Sequence, residues 1–299
     1  MTYGQQPNGN GSRNNGSPQY YSNGNQYNNG QYNGNQYYNN GYQQGYNGYQ
    51  QPGYGQPYNP YGNGGAPVDT QAVYAREQAQ RVSVTRAYGE MTLGLLVTAV
   101  VAILTQASGW YLSFAAATGG IGCWIFAIVQ IGLAIYLGAR IMQMKASTAR
   151  VMFYVFAALM GVTLSTIFVA YDLGTIGITL LVCAGFFFVL TMLGMTTKIN
   201  LMKFGTVLMV GLIVLIVAEL LIYIFAPTAT NLMLISALGV ILFAGMTIYD
   251  GQFTKKIFAQ YRNADPETIK KISIICALNL YLDFVNMFLY LLQIFGDRR

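Results

Sequence analysis

The chain has 299 residues, 54% of them apolar and only 9% charged, a balance that argues against a soluble globular fold and for a polytopic all-α membrane protein. The absence of histidine removes the usual general base, the commonest zinc ligand and the usual neutral-pH switch, so triad and metalloenzyme chemistry are disfavoured and a pH response falls to carboxylates. The net charge of +6 comes from basic residues scattered between apolar stretches. That is a topology signal and not a nucleic-acid footprint.

Residues 1–67 form a separate polymer rich in Tyr, Asn, Gly and Gln, with Arg13 as their one charged side chain. Thirteen of the 24 tyrosines fall between Tyr3 and Tyr61 in a polar-aromatic pattern. Such a composition cannot bury a core, so a disordered tail is expected, serving as a tether, a weakly self-associating segment or a solubilising extension. No apolar h-region follows the start, so no signal peptide is expected. Residues 68–90 are charged, with Arg76, Glu77, Arg81, Arg86 and Glu90 spaced as an amphipathic juxtamembrane lead-in. Glu90 follows Arg86 by four residues and reads as an i, i+4 pair without a further role.

The membrane domain is expected over 91–299. Seven apolar stretches lie at 91–107, 121–140, 151–171, 176–196, 204–226, 232–251 and 272–295, each near the roughly 20 residues that a helix needs to span the hydrocarbon. Cys123, Cys183 and Cys276 each sit inside one of these stretches without CxxC spacing and read as small packing residues, not zinc or redox ligands. Basic residues precede the first span and fill the connections after the second, fourth and sixth. The connections 108–120, 172–175 and 227–231 contain none. The positive-inside rule therefore puts the tail and the 252–271 loop in the cytoplasm and Arg299 outside. Arg298 and Arg299 leave open a six-span alternative in which the last stretch re-enters.

The last span carries the chemistry. Asn279, Asp283, Asn286, Tyr290 and Gln293 recur at steps of four and three, a polar stripe along one helical face, with Leu280, Phe284, Met287, Leu291 and Ile294 on the other. A stripe of this length needs shielding from lipid, so the seventh helix should sit centrally with the others around it. Asn and Gln in such a stripe often serve as an interhelical hydrogen-bond seam. Asp283 argues for more, because an acid at mid-membrane costs roughly 2.5–3.5 kcal/mol on insertion scales and usually marks an ion or proton path.

Other carboxylates are placed by their spans. Asp250 ends the apolar part of the sixth at the inner side, level with Arg140 at the end of the second, and an ion pair between them is geometrically open. Asp172 closes the third span outside, and Glu219 lies about 10 Å deep in the fifth; both are candidates for an outer cation site. On straight helices Asp250 and Asp283 differ in depth by about 10 Å, a gap that tilt or a shifted sixth helix must close.

The Gly245-x-x-Ile248-Tyr249-Asp250 ending of the sixth span, the Leu280-Tyr-Leu-Asp-Phe-Val-Asn286 run of the seventh, and Arg86-Ala-Tyr88 before Met91 are similar to motifs of the Bax inhibitor-1-like family, also called TMBIM or YccA-like. The resemblance covers about Arg86 to Phe295 and not the tail. It implies six helices around a central seventh, and a calcium leak across a bacterial inner membrane or an endoplasmic-reticulum membrane. It also implies a pH-sensing aspartate pair (Asp250, Asp283, which could bind calcium transiently) and a latch arginine, Arg140. No cofactor is expected beyond calcium as permeant ion, and the expected partners are the bilayer, calcium ions and other membrane proteins. Two carboxylates in a poorly solvated site cannot both ionise cheaply, so the pair should titrate as a unit. An intramembrane aspartyl protease is the enzymatic alternative, but Tyr281-Leu282-Asp283 lacks the glycine of the Gly-x-Gly-Asp motif. A non-conducting regulator of membrane partners is the other alternative.

Overall fold

The computed structural model describes residues 70–225 and 228–296, with side chains from Gln78 onward. The tail at 1–67 and the C-terminal Arg298 and Arg299 lie outside the described residues. The elements, all helical, are α1 (Thr70–Ser108), α2 (Trp110–Ala117), α3 (Ile121–Arg140), α4 (Ala146–Leu164), α5 (Ile167–Ala170), α6 (Leu173–Thr196), α7 (Gly205–Phe225), α8 (Ala229–Gln260) and α9 (Pro266–Phe295). Seven of the segments are long and apolar enough to cross a membrane, and they coincide with the seven stretches expected from hydropathy.

The centre of the bundle is α9. Of its most apolar window 72% is buried, against 28% or less in each of the other six. Its start follows from local chemistry: Asp265 accepts from the Thr268 amide (2.9 Å) and hydroxyl (2.6 Å), Pro266 fills the first turn, and the bonds from Thr268 hold the Asp265 carboxyl below the usual carboxylate range. The helix then runs unbroken to Phe295, long and apolar enough for a full crossing. The apolar face supplies the core. Tyr281, wholly buried, stands edge-on to Phe153 and Phe156 with centroids 5.7 and 5.9 Å away. Its hydroxyl meets Thr98 at 2.6 Å, and Thr98 donates to the Ala157 carbonyl at 2.8 Å. One aromatic side chain thus ties α1, α4 and α9 together. On the opposite flank Phe284 packs edge-on to Phe187 of α6 at 5.4 Å.

Several boundaries differ from the sequence expectation. The lead-in and the first span are one helix, α1, so the expected division at residue 90 falls inside it. The 108–120 connection holds α2, whose Trp110, Tyr111 and Phe114 form an aromatic cluster with Phe126 of α3. The third span is interrupted after Leu164, where the Ser165 hydroxyl bonds the Val162 carbonyl (2.7 Å) before α5 resumes. The largest difference is at α8, which continues past residue 251 to Gln260. The supposed 252–271 loop is only the short turn at 261–265. Hydropathy could not see this, because the extension is polar: Gln252, Lys255 and Lys256 belong to it.

Those polar residues gather the connections at one end. Gln252 accepts from the Leu201 amide (2.8 Å) and donates to the Ile199 carbonyl (2.7 Å). Lys255 donates to the Met195 carbonyl (2.8 Å) and Lys256 to Asn200 (2.6 Å). Lys271 reaches the Met142 carbonyl (3.3 Å), and Glu267 accepts from the Ala146 amide (2.6 Å). The basic connections therefore share one end of the bundle, as a cytoplasmic face requires.

Two glycines set the α6–α8 spacing. A Cβ on Gly194 would run into the Ile248 backbone, and one on Gly251 would lie 3.1 Å from the Thr191 carbonyl. Small residues at such points let membrane helices touch backbone to backbone. Because a backbone cannot move aside as a side chain can, Gly194→Val is expected to cost more than the ~1–3 kcal/mol of ordinary overpacking, with loss of monodisperse protein on detergent extraction. Wild-type yield and melting behaviour of that variant would contradict the close approach.

Candidate functional site

The polar stripe of α9 is its less buried face. Asn279, Asn286, Tyr290 and Gln293 are half-buried, whereas Leu280, Met287 and Leu291 on the other face are buried. The half-burial comes from a cavity of about 700 Å³ between α7, α8 and α9, lined among others by Gly205 and Glu219 of α7, by Tyr249 and Asp250 of α8, and by Asn279, Asp283, Asn286 and Tyr290 of α9. Gly205 to Glu219 is 14 residues, so the cavity follows α7 for about 21 Å. Its lining residues include three carboxylates and no lysine or arginine. A neighbouring cavity of about 470 Å³ shares the Ile216 and Glu219 walls and is lined also by Gln293. The stripe is thus divided: Gln293 stands apart from the other four and accepts a hydrogen bond from the Ser236 hydroxyl.

Asp250 and Asp283 meet at the inner wall of the larger cavity, 5% and 1% exposed. Their carboxyls are close neighbours, with Asn279 beside Asp250 in the same cavity wall. Ionised carboxylates only accept, so a direct hydrogen bond between the two would need a proton on one of them. One Asp283 oxygen has no partner among the described residues, and the same holds for the nearby Tyr88 hydroxyl. The expected depth mismatch is resolved by the antiparallel register of α8 and α9. Gln293 meets Ser236, Tyr290 covers Gly239 and Asn279 reaches Asp250. This register sets Asp283 about one turn, roughly 5.4 Å, beyond Asp250, a gap that two side chains bridge.

Arg140 is outside this cluster. It is exposed and donates to Gln143 on the following turn, so the expected Arg140–Asp250 ion pair is not formed. Helix α3 packs chiefly against α4, and neither helix contributes to the cavity lining around Asp250. Asp172 and Glu219 are not brought together either. Asp172 caps α6, accepting from the Gly174 and Thr175 amides at 3.1 and 3.2 Å, and it lines a different cavity. Glu219 instead joins the stripe, lining the same cavity as Tyr290.

The ion pair that does form was not anticipated. Glu90 is buried and bound by Arg150 at 2.6 Å and by the Tyr154 hydroxyl at 2.7 Å. The Arg86 neighbour that periodicity suggested points outward. Arg150 and Tyr154 are themselves four residues apart, so a single face of α4 presents both donors. That spacing was the available signal, hidden because Arg150 also serves as a positive flank.

Comparison with known proteins comes to the same region of the chain. A family model described as inhibitor of apoptosis-promoting Bax1 matches residues 80–299. The inner membrane protein YbhL of Escherichia coli strain K12 is 38% identical over 218 residues, covering 71% of this chain and 90% of that protein. A protein of Borreliella burgdorferi is 35% identical over 214 residues, with coverages of 72% and 91%. Protein RP147 of Rickettsia prowazekii is 32% identical over 225 residues, with coverages of 75% and 92%.

Proposed function

The chain belongs to the Bax inhibitor-1-like family and is a multi-pass protein of the bacterial inner membrane, and from that premise we propose that it is a pH-sensitive cation leak pathway with calcium as permeant ion. The observation that carries the reading is the juxtaposition of the buried Asp250–Asp283 pair with an acidic cavity that follows α7 for more than the depth of one bilayer leaflet. Intramembrane carboxylates facing a cavity attract cations, while the absence of basic side chains from the lining leaves nothing to repel them.

The mechanism follows from the shared site. With a proton between them, the carboxyls are joined and α8 and α9 are held in register. With both ionised, the same oxygens repel each other and offer a divalent cation two anionic ligands beside the Asn279 amide, a hard oxygen set suited to calcium. Proton and calcium thus compete for one place, and either change of occupancy alters the spacing of the two helices that wall the cavity. Arg140, exposed and bonded to Gln143, has no place in this scheme, which assigns the gate to the pair itself.

Purified full-length protein in liposomes, loaded with a calcium-sensitive dye and assayed across pH 5–8, tests this. A calcium influx above that of protein-free vesicles, varying with pH, is the expected result. Vesicles that stay calcium-tight at every pH would leave the chain a non-conducting membrane protein.

A further inference from the structure

We propose that Glu219, Tyr290 and Gln293 form a second, outer cation-binding station on the path, weakly selective for divalent cations. The inference deepens the reading of the cavity as a cation path and rests on it. Glu219 is the only carboxylate among the residues lining both cavities. Together with Ile216 it forms the wall between them, so an ion passing from one to the other passes this carboxylate. The residue is half-buried, and six residues separate it from Phe225 at the end of α7, about 9 Å of helix. A carboxylate at that depth on a helix with a single buried position, Leu215, serves no packing purpose that its apolar neighbours do not already serve.

The ligand chemistry around it is oxygen. Tyr290 of α9 lines the same cavity as Glu219, and Gln293 lines the adjoining cavity, its side-chain oxygen accepting from the Ser236 hydroxyl. That is one anionic and two neutral oxygens, a hard set with no nitrogen or sulfur ligand. It falls well short of the six to eight oxygens of a tight calcium site. Tyr290 lies seven residues beyond Asp283 on the same stripe, about 10 Å along the helix. Two acidic stations at that separation let an ion at one aid departure from the other, the arrangement that multi-ion conduction uses.

The test combines flux with direct binding on the full chain. Calcium-45 binding to purified protein in nanodiscs and calcium flux in liposomes are measured against calcium concentration for wild type, Glu219→Gln, Glu219→Asp and Tyr290→Phe. Glu219→Gln should raise the half-saturating calcium concentration about tenfold, the loss of one charge-assisted contact. It should leave unmoved the pH midpoint of flux, which belongs to the inner pair. Glu219→Asp should restore most of the affinity, and Tyr290→Phe should show a smaller loss in the same direction. Glu219→Gln curves that superimpose on wild type in both assays would overturn the proposal, as would a Glu219→Asp variant no better than Glu219→Gln. Glu219-dependent calcium binding without wild-type flux would retain the station and refute the leak, which separates the failure of this inference from that of the reading beneath it. If Glu219→Gln does not yield folded protein, Glu219→Asp and Tyr290→Phe carry the same comparison.

Discussion

Asp250→Asn and Asp283→Asn are each expected to displace or abolish the pH dependence of calcium leak, and the double variant is expected to leak at a rate independent of pH. Asp250 and Asp283 are close neighbours and almost wholly buried, so their charges interact strongly and the pair should titrate as a unit. Asn keeps the shape and supplies a donor toward the remaining carboxyl, but it removes one titrating group and one unit of negative charge. The chain contains no histidine, and the residues lining the cavity include no lysine or arginine, so the pH dependence falls to the buried pair. Calcium flux across pH 5–8 for wild type, both single variants and the double variant measures this. Four superimposable profiles would assign the aspartates to structural hydrogen bonding and shift attention to Glu219. The exposed position of Arg140 leads to a related expectation, that Arg140→Ala leaves the leak at its wild-type level.

Glu90→Ala is expected to destabilise the bundle by about 2 kcal/mol through loss of two hydrogen bonds to a charged group. The carboxylate is buried, and it holds Arg150 at 2.6 Å and Tyr154 at 2.7 Å, clasping α1 to α4. The cost stays below the ~3–5 kcal/mol of a broken fully buried pair, because the Arg150 side chain is 41% exposed and rehydrates when released. A domain of this size should then melt about 4–8 °C lower. Arg86→Ala, at an exposed position, should fall within about 0.5 kcal/mol of wild type. Thermal unfolding in detergent, followed by tryptophan fluorescence from Trp110 and Trp124, distinguishes the two. A Glu90→Ala melt equal to wild type, or an Arg86→Ala effect as large, would return Glu90 to the local i, i+4 pairing suggested by sequence spacing.

How much of the site was legible in the residues depended on whether its signal was local. The stripe Asn279, Asp283, Asn286 and Tyr290 is periodic on one helix, so its common exposure to one cavity could be read from steps of three and four. Its central position followed as well, since a polar face cannot meet lipid. Gln293 carries the same periodicity but faces a different cavity, because the shape of α7 and not the repeat of α9 decides where one cavity ends. The Asp250–Asp283 pair came from motif resemblance. Depth counting alone argued against it, since α8 continues ten residues past Asp250 through polar positions that hydropathy treats as loop.

The sequence by itself determined the seven apolar spans and the polar face of the last, because hydrophobicity and helical period are properties of contiguous residues. Tertiary structure alone decided which distant groups became partners. Glu90 found Arg150 and Tyr154 because α1 and α4 lie side by side, with Gly161 admitting the Thr98 backbone. Glu219 joined Tyr290 and not Asp172 because α7 is placed against α8, beside the polar face of α9. Arg140 stayed away from Asp250 because α3 packs on α4. Each of these is a contact between segments tens of residues apart, where the energy of pairing depends on helix neighbourhood and register, quantities that no window of sequence contains.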